Sequence, residues 1–320
     1  MTAAGGSTRA ARLVVACAAD QPYLPHCATT LLSLLEHHPD ADIHLLHPAS
    51  VDAAELQRLR DMVGRGAARL TTHEVQADAI EGLPRLSEVT ITMWLRALLP
   101  ALLPDHSRVL YIDCDTLVVD DLSALWATDL DGVGVGAVRN ILPAAARDYP
   151  LSVGVPVDAY FNSGVLLINL DYWRAQRVTE ALLAFGRARA GQLKWPDQDA
   201  LNHVLRDAWR ALPERYNAQN GMWFMPNRHD YFSRAALRAA TGAPAIVHFE
   251  GPHLVKPWGA YCKNPYRARY FELRRRTPWP TLAAQPRPPL WWLTWLPASL
   301  LYPLLGYRAR LVGAWQRRRA

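Results

Sequence analysis

Two aspartates, Asp113 and Asp115, follow an apolar run at residues 109–112, and their spacing would allow them to bind a cation together. Carboxylates at positions i and i+2 after a strand can converge where the chain turns, and hard divalent cations prefer such oxygen ligands. A cation held there would neutralise a negatively charged leaving group. Asp-x-Asp recurs elsewhere in the chain, so the position after a predicted strand, and not the triplet alone, indicates a metal site.

The same stretch fits a second chemistry. An apolar strand followed by Asp-x-Asp-x-Thr, ending here at Thr116, is the signature of haloacid-dehalogenase phosphatases. Asp113 would then be a nucleophile and Asp115 a general acid. That signature normally stands on the first strand, whereas three predicted strands precede it here, and no convincing later acidic pair follows. Both interpretations remain open at this point.

A histidine and a lysine stand close together further along the chain. His248 ends the apolar run at residues 245–247, where it is either a third metal ligand or a structural histidine. Gly251 and Lys256 belong to the Gly/Pro-rich loop that follows. A lysine there suits contact with phosphate oxygens, and a glycine lets the backbone approach a ligand closely.

Two further polar groups interrupt regular segments. Asn162 lies within the strand-like run 160–170, where a buried amide needs hydrogen bonds and either satisfies the fold or holds a sugar hydroxyl. Asp197, Gln198 and Asp199 precede a predicted helix. The two acids there have an alternative role, which is to stabilise the helix N-terminus.

The elements that would position these residues alternate between short apolar runs and helical patterns. The predicted strands are 12–18, 42–47, 69–75, 109–112, 133–138, 160–170 and 245–249. The predicted helices are 23–37, 52–63, 90–103, 172–190 and 198–206. This alternation predicts an α/β fold with a mostly parallel sheet covered by helices. Ligands of such sheets bind beyond the carboxyl ends of the strands, which is where Asp113 and Asp115 are expected.

Together these segments resemble glycosyltransferase family 8, especially the bacterial lipopolysaccharide galactosyl- and glucosyltransferases. The likeness runs from about Val14 to Trp258, and its pieces keep a consistent order. They are Ala18, Asp20 and Tyr23; residues 91–96; Asp113 and Asp115; residues 160–170; residues 197–199 with Asn202; and residues 248–258. The resemblance implies a GT-A fold of the Rossmann-like nucleotide-diphospho-sugar transferase type. It also implies retaining transfer of galactose or glucose from a UDP-sugar to a saccharide acceptor. The implied setting is the synthesis of lipopolysaccharide or another cell-surface glycan. A non-catalytic UDP-sugar-binding module is a further alternative.

The resemblance also implies roles for single residues. Mn²⁺, with Mg²⁺ as the alternative, would be bound by Asp113, Asp115 and His248, a donor set that suits such an ion. The UDP-sugar would be held by Ala18, Asp20, Tyr23, Arg96, Asn162, Gly251 and Lys256. Asp197 and Gln198 would act as nucleophile or charge stabiliser, so a covalent intermediate and attack on the leaving-group face both stay open.

The composition is that of a globular chain, since 50% of the 320 residues are hydrophobic and 20% are charged. The four cysteines are scattered and show no C-x-x-C spacing, which predicts a reducing, cytoplasmic setting. The apolar stretch before Cys17 is too short for a signal peptide. We expect residues 1–11 to be a disordered tail and residues 12–276 to be the catalytic domain.

Residues 277–320 form a basic, Trp- and Pro-rich extension. From Lys263 onward the chain has twelve Lys and Arg residues and one acid, although the net charge of the whole chain is only +6. The apolar stretch 290–307 contains two prolines and is short for a spanning helix. Its tryptophans and flanking arginines predict peripheral attachment to the cytoplasmic face of the inner membrane through anionic lipids. A packed extension or a dimer contact is the alternative, and a nucleic-acid partner is not expected.

Overall fold

The computed structural model describes residues 12–84, 91–281, 296, 300 and 301. The predicted tail at residues 1–11 and nearly all of the stretch 290–307 lie outside this part. The strands are β1 (Val14–Ala18), β2 (Asp42–Pro48), β3 (Arg69–Val75), β4 (Arg108–Ile112), β5 (Thr116–Val118), β6 (Val135–Arg139), β7 (Phe161–Asn169), β8 (Trp209–Ala211), β9 (Ala218–Gln219) and β10 (Ile246–His248).

Helices cover both faces of these strands. The α-helices are α1 (Leu24–His37), α2 (Ala53–Val63), α3 (Leu99–Leu102), α4 (Ser123–Trp126), α5 (Tyr149–Ser152), α6 (Leu170–Ala175), α7 (Val178–Ala188), α8 (Pro196–Val204), α9 (Asn220–Phe224), α10 (Arg234–Gly242) and α11 (Arg267–Arg275). Short 3₁₀ helices include Gln21–Tyr23, Ile91–Leu98, Glu214–Asn217 and His253–Val255.

The main sheet has the strand order β3-β2-β1-β4-β7-β6-β8. The neighbours from β3 to β4 are parallel, so these strands end at one common edge. β7 runs antiparallel to both β4 and β6, while β8 is again parallel to β6. The predicted α/β fold with a mostly parallel sheet is confirmed, with one inverted strand that the sequence pattern did not reveal.

The core lies on both faces of this sheet. β7 is buried at every position except its last, Asn169, and β4 is buried after its first residue, Arg108. Such continuously apolar strands are typical of a sheet that is covered on both sides. One face packs against α1 and α2, and the other packs against α3, α7, α8 and the 3₁₀ helix Ile91–Leu98.

A second, three-stranded sheet has the order β5-β10-β9. β5 begins shortly after β4, and the turn between them is held because the Thr116 hydroxyl donates to the Asp113 carbonyl at 2.8 Å. In the antiparallel pair of β10 with β5, His248 lies opposite Thr116. This register carries His248 to the edge at which β4 ends.

Two predicted helices are wrong in their detail. The segment 90–103 is not one α-helix but the 3₁₀ helix Ile91–Leu98 followed by the short α3. Pro100, at the start of α3, has no N–H to continue a hydrogen-bond ladder. The predicted helix 172–190 is interrupted at Arg177, whose φ of 53° is left-handed and ends α6 before α7 begins.

The first residues of the basic extension contact the body of the protein. The Trp279 indole donates to Glu55 of α2 at 2.5 Å, and the Arg58 guanidinium lies 4.9 Å from the centre of the Trp279 ring. The Arg274 side chain also donates to the Trp279 carbonyl at 2.6 Å. Trp279 therefore holds the start of the extension against α2. Within the described residues, no helix is long and apolar enough to cross a membrane.

Candidate functional site

Asp113, Asp115 and His248 converge at the carboxyl ends of the parallel strands. One ligand atom from each of the three side chains lies within 4.8 Å of the others, and we call this group the carboxyl-edge cluster. His248 Nε2 is 3.4 Å from an Asp115 oxygen. Asp115 and His248 are buried, whereas Asp113 is half-buried. The strand β4, the tight turn after it and the pairing of β10 with β5 together create this convergence.

Space for a cation in this cluster depends on a glycine of β7. A Cβ atom placed on Gly164 would lie 2.2 Å from His248 Cε1 and 2.9 Å from an Asp113 oxygen, closer than real Cβ atoms approach their neighbours. Gly164 therefore leaves room beside the ligand atoms. Two carboxylates and an imidazole also match the donors that Mn²⁺ accepts, so the residues fit the predicted metal.

Two basic residues flank the cluster and balance its charge. Lys256 forms an ion pair with Asp115, and Arg96 bonds to Asp113 at 2.9 Å. Burial disfavours ionisation of Asp115, but Lys256 and His248 outweigh it and hold the pKa of Asp115 well below its usual value. Burial likewise opposes protonation of Lys256, and the carboxylate of Asp115 nevertheless raises the pKa of Lys256.

A chain of amides orients His248. Its Nδ1 lies 3.0 Å from the Asn217 side-chain oxygen, and the Asn217 amide group donates to Asn162 at 2.8 Å. Because Asn217 uses its nitrogen toward Asn162, its oxygen accepts from the Nδ1–H of His248. The remaining nitrogen, Nε2, then faces Asp115, as a metal-ligating histidine requires.

Asp197 and Gln198 lie behind Arg96 at the start of α8. An Asp197 oxygen is 3.4 Å from the Arg96 guanidinium, and the side-chain oxygen of Gln198 accepts from the Ser163 N–H at 3.0 Å. Burial raises the pKa of Asp197 to about 6, although Arg96 opposes this shift. The Gln198 nitrogen donates to the Tyr160 hydroxyl at 3.2 Å. Both side chains are thus fixed beside the cluster.

Asp199 is engaged by the fold. Its carboxylate accepts from the hydroxyls of Tyr149 and Tyr160 and from the backbone N–H groups of Lys194 and Trp195. These donors saturate the carboxylate and tie the residues just before α8 to its first turn. Asp199 supports the helix that carries Asp197 and Gln198, in agreement with the structural alternative.

A cleft of about 160 Å³ opens in front of the carboxyl-edge cluster. Among the predicted site residues, it is lined by Ala18, Tyr23, Arg96, Asp113, Asp115, Gly251 and Lys256. The other predicted residues are buried and are not among those that line it; they are Asp20, Asn162, Asp197, Gln198 and His248. Asp20 instead accepts a bond from the Tyr23 N–H at 3.2 Å and so shapes the wall of the cleft.

Several residues of the site had no signal in the sequence. Asn217 contacts His248 but stands in no motif. Tyr111 bonds to Asp113, although the sequence showed it only as part of the apolar run 109–112. Glu250 accepts from two backbone N–H groups at the start of α9, at 2.6 and 3.0 Å, which ties the loop after β10 to the protein. Gly164 was inside a segment that we singled out, but its necessity is visible only in three dimensions.

Comparison with known proteins assigns the chain to a family. The glycosyl transferase family 8 profile matches residues 14–262. General stress protein A of Bacillus subtilis is 31% identical over 278 residues, covering 84% of this chain and 95% of the relative. The lipopolysaccharide 1,2-glucosyltransferase of Escherichia coli is 25% identical over 271 residues, covering 83% and 79% of the two chains.

The solved structures agree with these relatives. A crystal structure of the galactosyltransferase LgtC with donor and acceptor sugar analogues has a TM-score of 0.71 and 28% identity, covering 85% of this chain and 98% of LgtC. The fold is therefore that of a GT-A glycosyltransferase. The chain belongs to glycosyltransferase family 8, which confirms the resemblance inferred from the sequence.

Proposed function

We propose that this glycosyltransferase is a retaining, Mn²⁺-dependent enzyme that moves galactose or glucose from a UDP-sugar to a saccharide or glycolipid acceptor. The convergence of Asp113, Asp115 and His248 beside Lys256, in an open cleft, carries the proposal. The names of the relatives point to the same chemistry, because one is a lipopolysaccharide glucosyltransferase and another a galactosyltransferase. Synthesis of lipopolysaccharide or another cell-surface glycan is the proposed setting.

Different residues of the site would contact different parts of the UDP-sugar. Ala18 and Tyr23 line the part of the cleft proposed for uracil and ribose, and Asp20 supports it through its bond with Tyr23. Gly251 and Lys256 line the part proposed for the diphosphate. A metal bound by the carboxyl-edge cluster would supply charge neutralisation for the departing nucleotide. The Lys256 ammonium would add a second positive charge, and preorganised charges of this kind are often the largest catalytic contribution.

The donor sugar would lie against Arg96, with Asn162, Asp197 and Gln198 behind it. As the bond to UDP lengthens, positive charge develops on the sugar ring. Asp197 and the side-chain oxygen of Gln198 are the two proposed groups that meet this charge. Mass spectrometry of rapidly quenched enzyme distinguishes the routes: a hexose adduct on either residue indicates a covalent intermediate, and its absence during turnover indicates attack on the leaving-group face.

The alternative of a haloacid-dehalogenase phosphatase is not supported. The Asp113 carboxylate accepts from Arg96 at 2.9 Å and from the Tyr111 hydroxyl at 3.0 Å, and such contacts reduce its strength as a nucleophile. Family membership points away from phosphomonoester hydrolysis as well. Membership in an enzyme family likewise disfavours a silent binding module.

A donor panel tests the proposed function. The full chain is incubated with UDP-galactose or UDP-glucose and a panel of saccharide acceptors, with Mn²⁺, with Mg²⁺ or with a chelator. We expect UDP release and sugar transfer from one of the two donors. This activity should be lost in the chelator and should return when Mn²⁺ is restored. Unchanged transfer in the chelator, or no transfer and no hydrolysis from any UDP-hexose, would contradict the proposal.

We further propose that residues 12–276 form the catalytic domain and that the extension from residue 277 attaches it to the cytoplasmic face of the inner membrane. α11 supports this, because its arginines continue the basic composition of the extension and Arg275 and Arg276 are exposed. Anionic lipid attracts such residues by about 1 kcal/mol each near the surface. Sedimentation with anionic and with neutral vesicles tests the attachment, and equal recovery with both would argue against an electrostatic contribution.

A further inference from the structure

A second group of metal-type ligands lies at the opposite ends of the parallel strands. Asp42 is the first residue of β2, and His44, two residues later, points to the same face of the sheet. His106 lies in the connection between α3 and β4. One ligand atom from each of the three residues lies within 4.8 Å of the others, and we call this group the amino-edge cluster.

His44 has a buried ring nitrogen without a hydrogen-bond partner in the described part of the chain, which distinguishes this cluster from acids and histidines that merely lie together at a surface. Its side chain is 8% exposed, and its buried Nε2 has no hydrogen-bond partner among the described residues. The nearest carboxylate oxygen, on Asp42, is 3.9 Å from Nε2, which is too far for a hydrogen bond. A buried polar atom left in this way has given up its hydrogen bond to water without a replacement, so its position calls for a ligand.

The other nitrogen of His44 is already held. Nδ1 of His44 lies 3.0 Å from Nε2 of His73 on the neighbouring strand β3. When Nδ1 carries the proton and donates it to His73, Nε2 keeps its lone pair, 3.9 Å from the nearest Asp42 oxygen. Metal-ligating histidines are typically oriented by a second hydrogen bond of this kind.

The connection that carries His106 is fixed to the helix α6. The Arg174 guanidinium donates to the carbonyls of His106, Leu103 and Pro100, at 2.9, 2.6 and 3.2 Å. His106 is therefore presented to β2 by a supported backbone. Asp42 and His106 are themselves half-buried, which leaves a path from solvent to the buried Nε2.

We propose that Asp42, His44 and His106 bind one Zn²⁺, with water as the fourth ligand, and that this ion joins β2 to the connection before β4. Two imidazoles and a carboxylate are a common zinc set, and metal–ligand distances of about 2.0–2.2 Å place tetrahedral ligands roughly 3.4 Å apart. The side chains of Asp42 and His106 have to rotate so that their ligand atoms move inward by about 1 Å to reach that spacing. Imidazole-rich sites favour zinc over the Mn²⁺ proposed for the carboxyl-edge cluster.

Zinc titration of the full chain tests the site. The chain carries Asp115→Asn, so that the carboxyl-edge cluster does not contribute, and it is stripped of metal before Zn²⁺ is added against a chromophoric chelator. We expect one Zn²⁺ per chain, a higher melting temperature with Zn²⁺, and the visible absorption of tetrahedral Co²⁺ when cobalt replaces zinc. No binding in this background would overturn the proposal.

Single substitutions locate the ion. His106→Asn and Asp42→Asn should each weaken Zn²⁺ binding by at least about 100-fold, the upper end of what loss of an outer hydrogen-bond partner costs. His73→Gln should weaken it by roughly 10–100-fold, because it removes only the orienting bond. His229→Asn, at an exposed histidine outside the cluster, is the matched control and should leave the affinity unchanged. Equal affinity in all four variants would place the zinc elsewhere and defeat the assignment.

Discussion

The two clusters at opposite ends of the parallel strands have similar donors and different surroundings. The carboxyl-edge cluster has two carboxylates and one imidazole, and Arg96 and Lys256 form ion pairs with its acids. In the amino-edge cluster, Asp42 forms no ion pair with a lysine or arginine among the described residues, and it shares the site with histidines. The acids of the first cluster are therefore held in ion pairs with basic side chains, whereas Asp42 of the second is not paired in this way within the described part of the chain and faces the proposed Zn²⁺ site.

The difference in burial has a further lesson. Asp115 is 5% exposed and pairs with buried His248 and half-buried Lys256, so it is part of the interior although it follows a strand end. Removing a buried partner leaves an uncompensated charge and is strongly destabilising. A substitution there has to keep the shape of the side chain, and asparagine does so better than alanine.

The largest contrast comes from removing one charge at each edge. Asp115→Asn should lower the rate of sugar transfer by at least about 1,000-fold, because it removes a proposed metal ligand and the partner of Lys256. His106→Asn should change the transfer rate by no more than about twofold, since surface substitutions away from a site have small effects. Steady-state assays with a UDP-sugar and Mn²⁺ measure both. Similar losses in the two variants would remove the functional distinction between the clusters.

The pH dependence of the transfer rate should reflect the titration of Asp197 near the carboxyl-edge cluster and should not depend on the amino-edge cluster. The pKa of buried Asp197 is raised to about 6, so its ionised form is lost as the pH falls through that value. If the ionised form is needed, the transfer rate falls about tenfold per pH unit below it. The wild type and His106→Asn should show the same profile, while residual activity of Asp197→Asn should lack this limb. A wild-type rate that stays flat well below pH 6 would contradict the role of Asp197.

A methyl group should test the space at the carboxyl edge. Gly164→Ala places a Cβ against His248 and Asp113, so we expect a loss of about 1–3 kcal/mol in the free energy of unfolding and weaker binding of Mn²⁺. Gly242→Ala is the matched control, because no atom lies within 4 Å of its added Cβ. Denaturant unfolding and Mn²⁺ titration measure the two effects. Zinc binding at the amino edge should be the same in both variants.

The smallest effect on catalysis is expected from the extension, which belongs to neither cluster. A chain ending at Thr281 keeps the contacts of Trp279 with Glu55 and Arg58. Its turnover on a soluble acceptor should stay within about twofold of the full chain, because only residues remote from the cleft are removed. Its sedimentation with anionic vesicles should be lost. Retained sedimentation would show that the attachment lies within the residues up to 281.

Much of the fold was readable from hydrophobic periodicity. The strands β1, β2, β3 and β4 and the helices α1 and α2 were predicted within about two residues. β1, β2 and β4 are mostly buried, and apolar patterns of this kind are the clearest signal in a sequence. β5 and β9 have only three and two residues, too few to show any period. The reversed direction of β7 also left no trace, since a strand buried on both faces reads alike in either direction.

The site was predicted in pieces. Asp113 and Asp115 carried a local signal, but their meeting with His248 depends on the register of β10 with β5, which no local pattern encodes. The resemblance to a family supplied that link. The amino-edge cluster had no such help: Asp42, His44 and His106 are ordinary residues in the sequence, and only the packing of the connection before β4 against β2 brings them together.

The pairing of Lys256 with Asp115 affects which ions the protein can take up. The Lys256 ammonium already pairs with the Asp115 carboxylate, so an incoming ion has to displace a charged partner. Ions that bind weakly, such as the abundant monovalent ones, would not win this competition. Competition from Lys256 would therefore favour strongly binding divalent ions over monovalent ions, without any change in the metal ligands themselves.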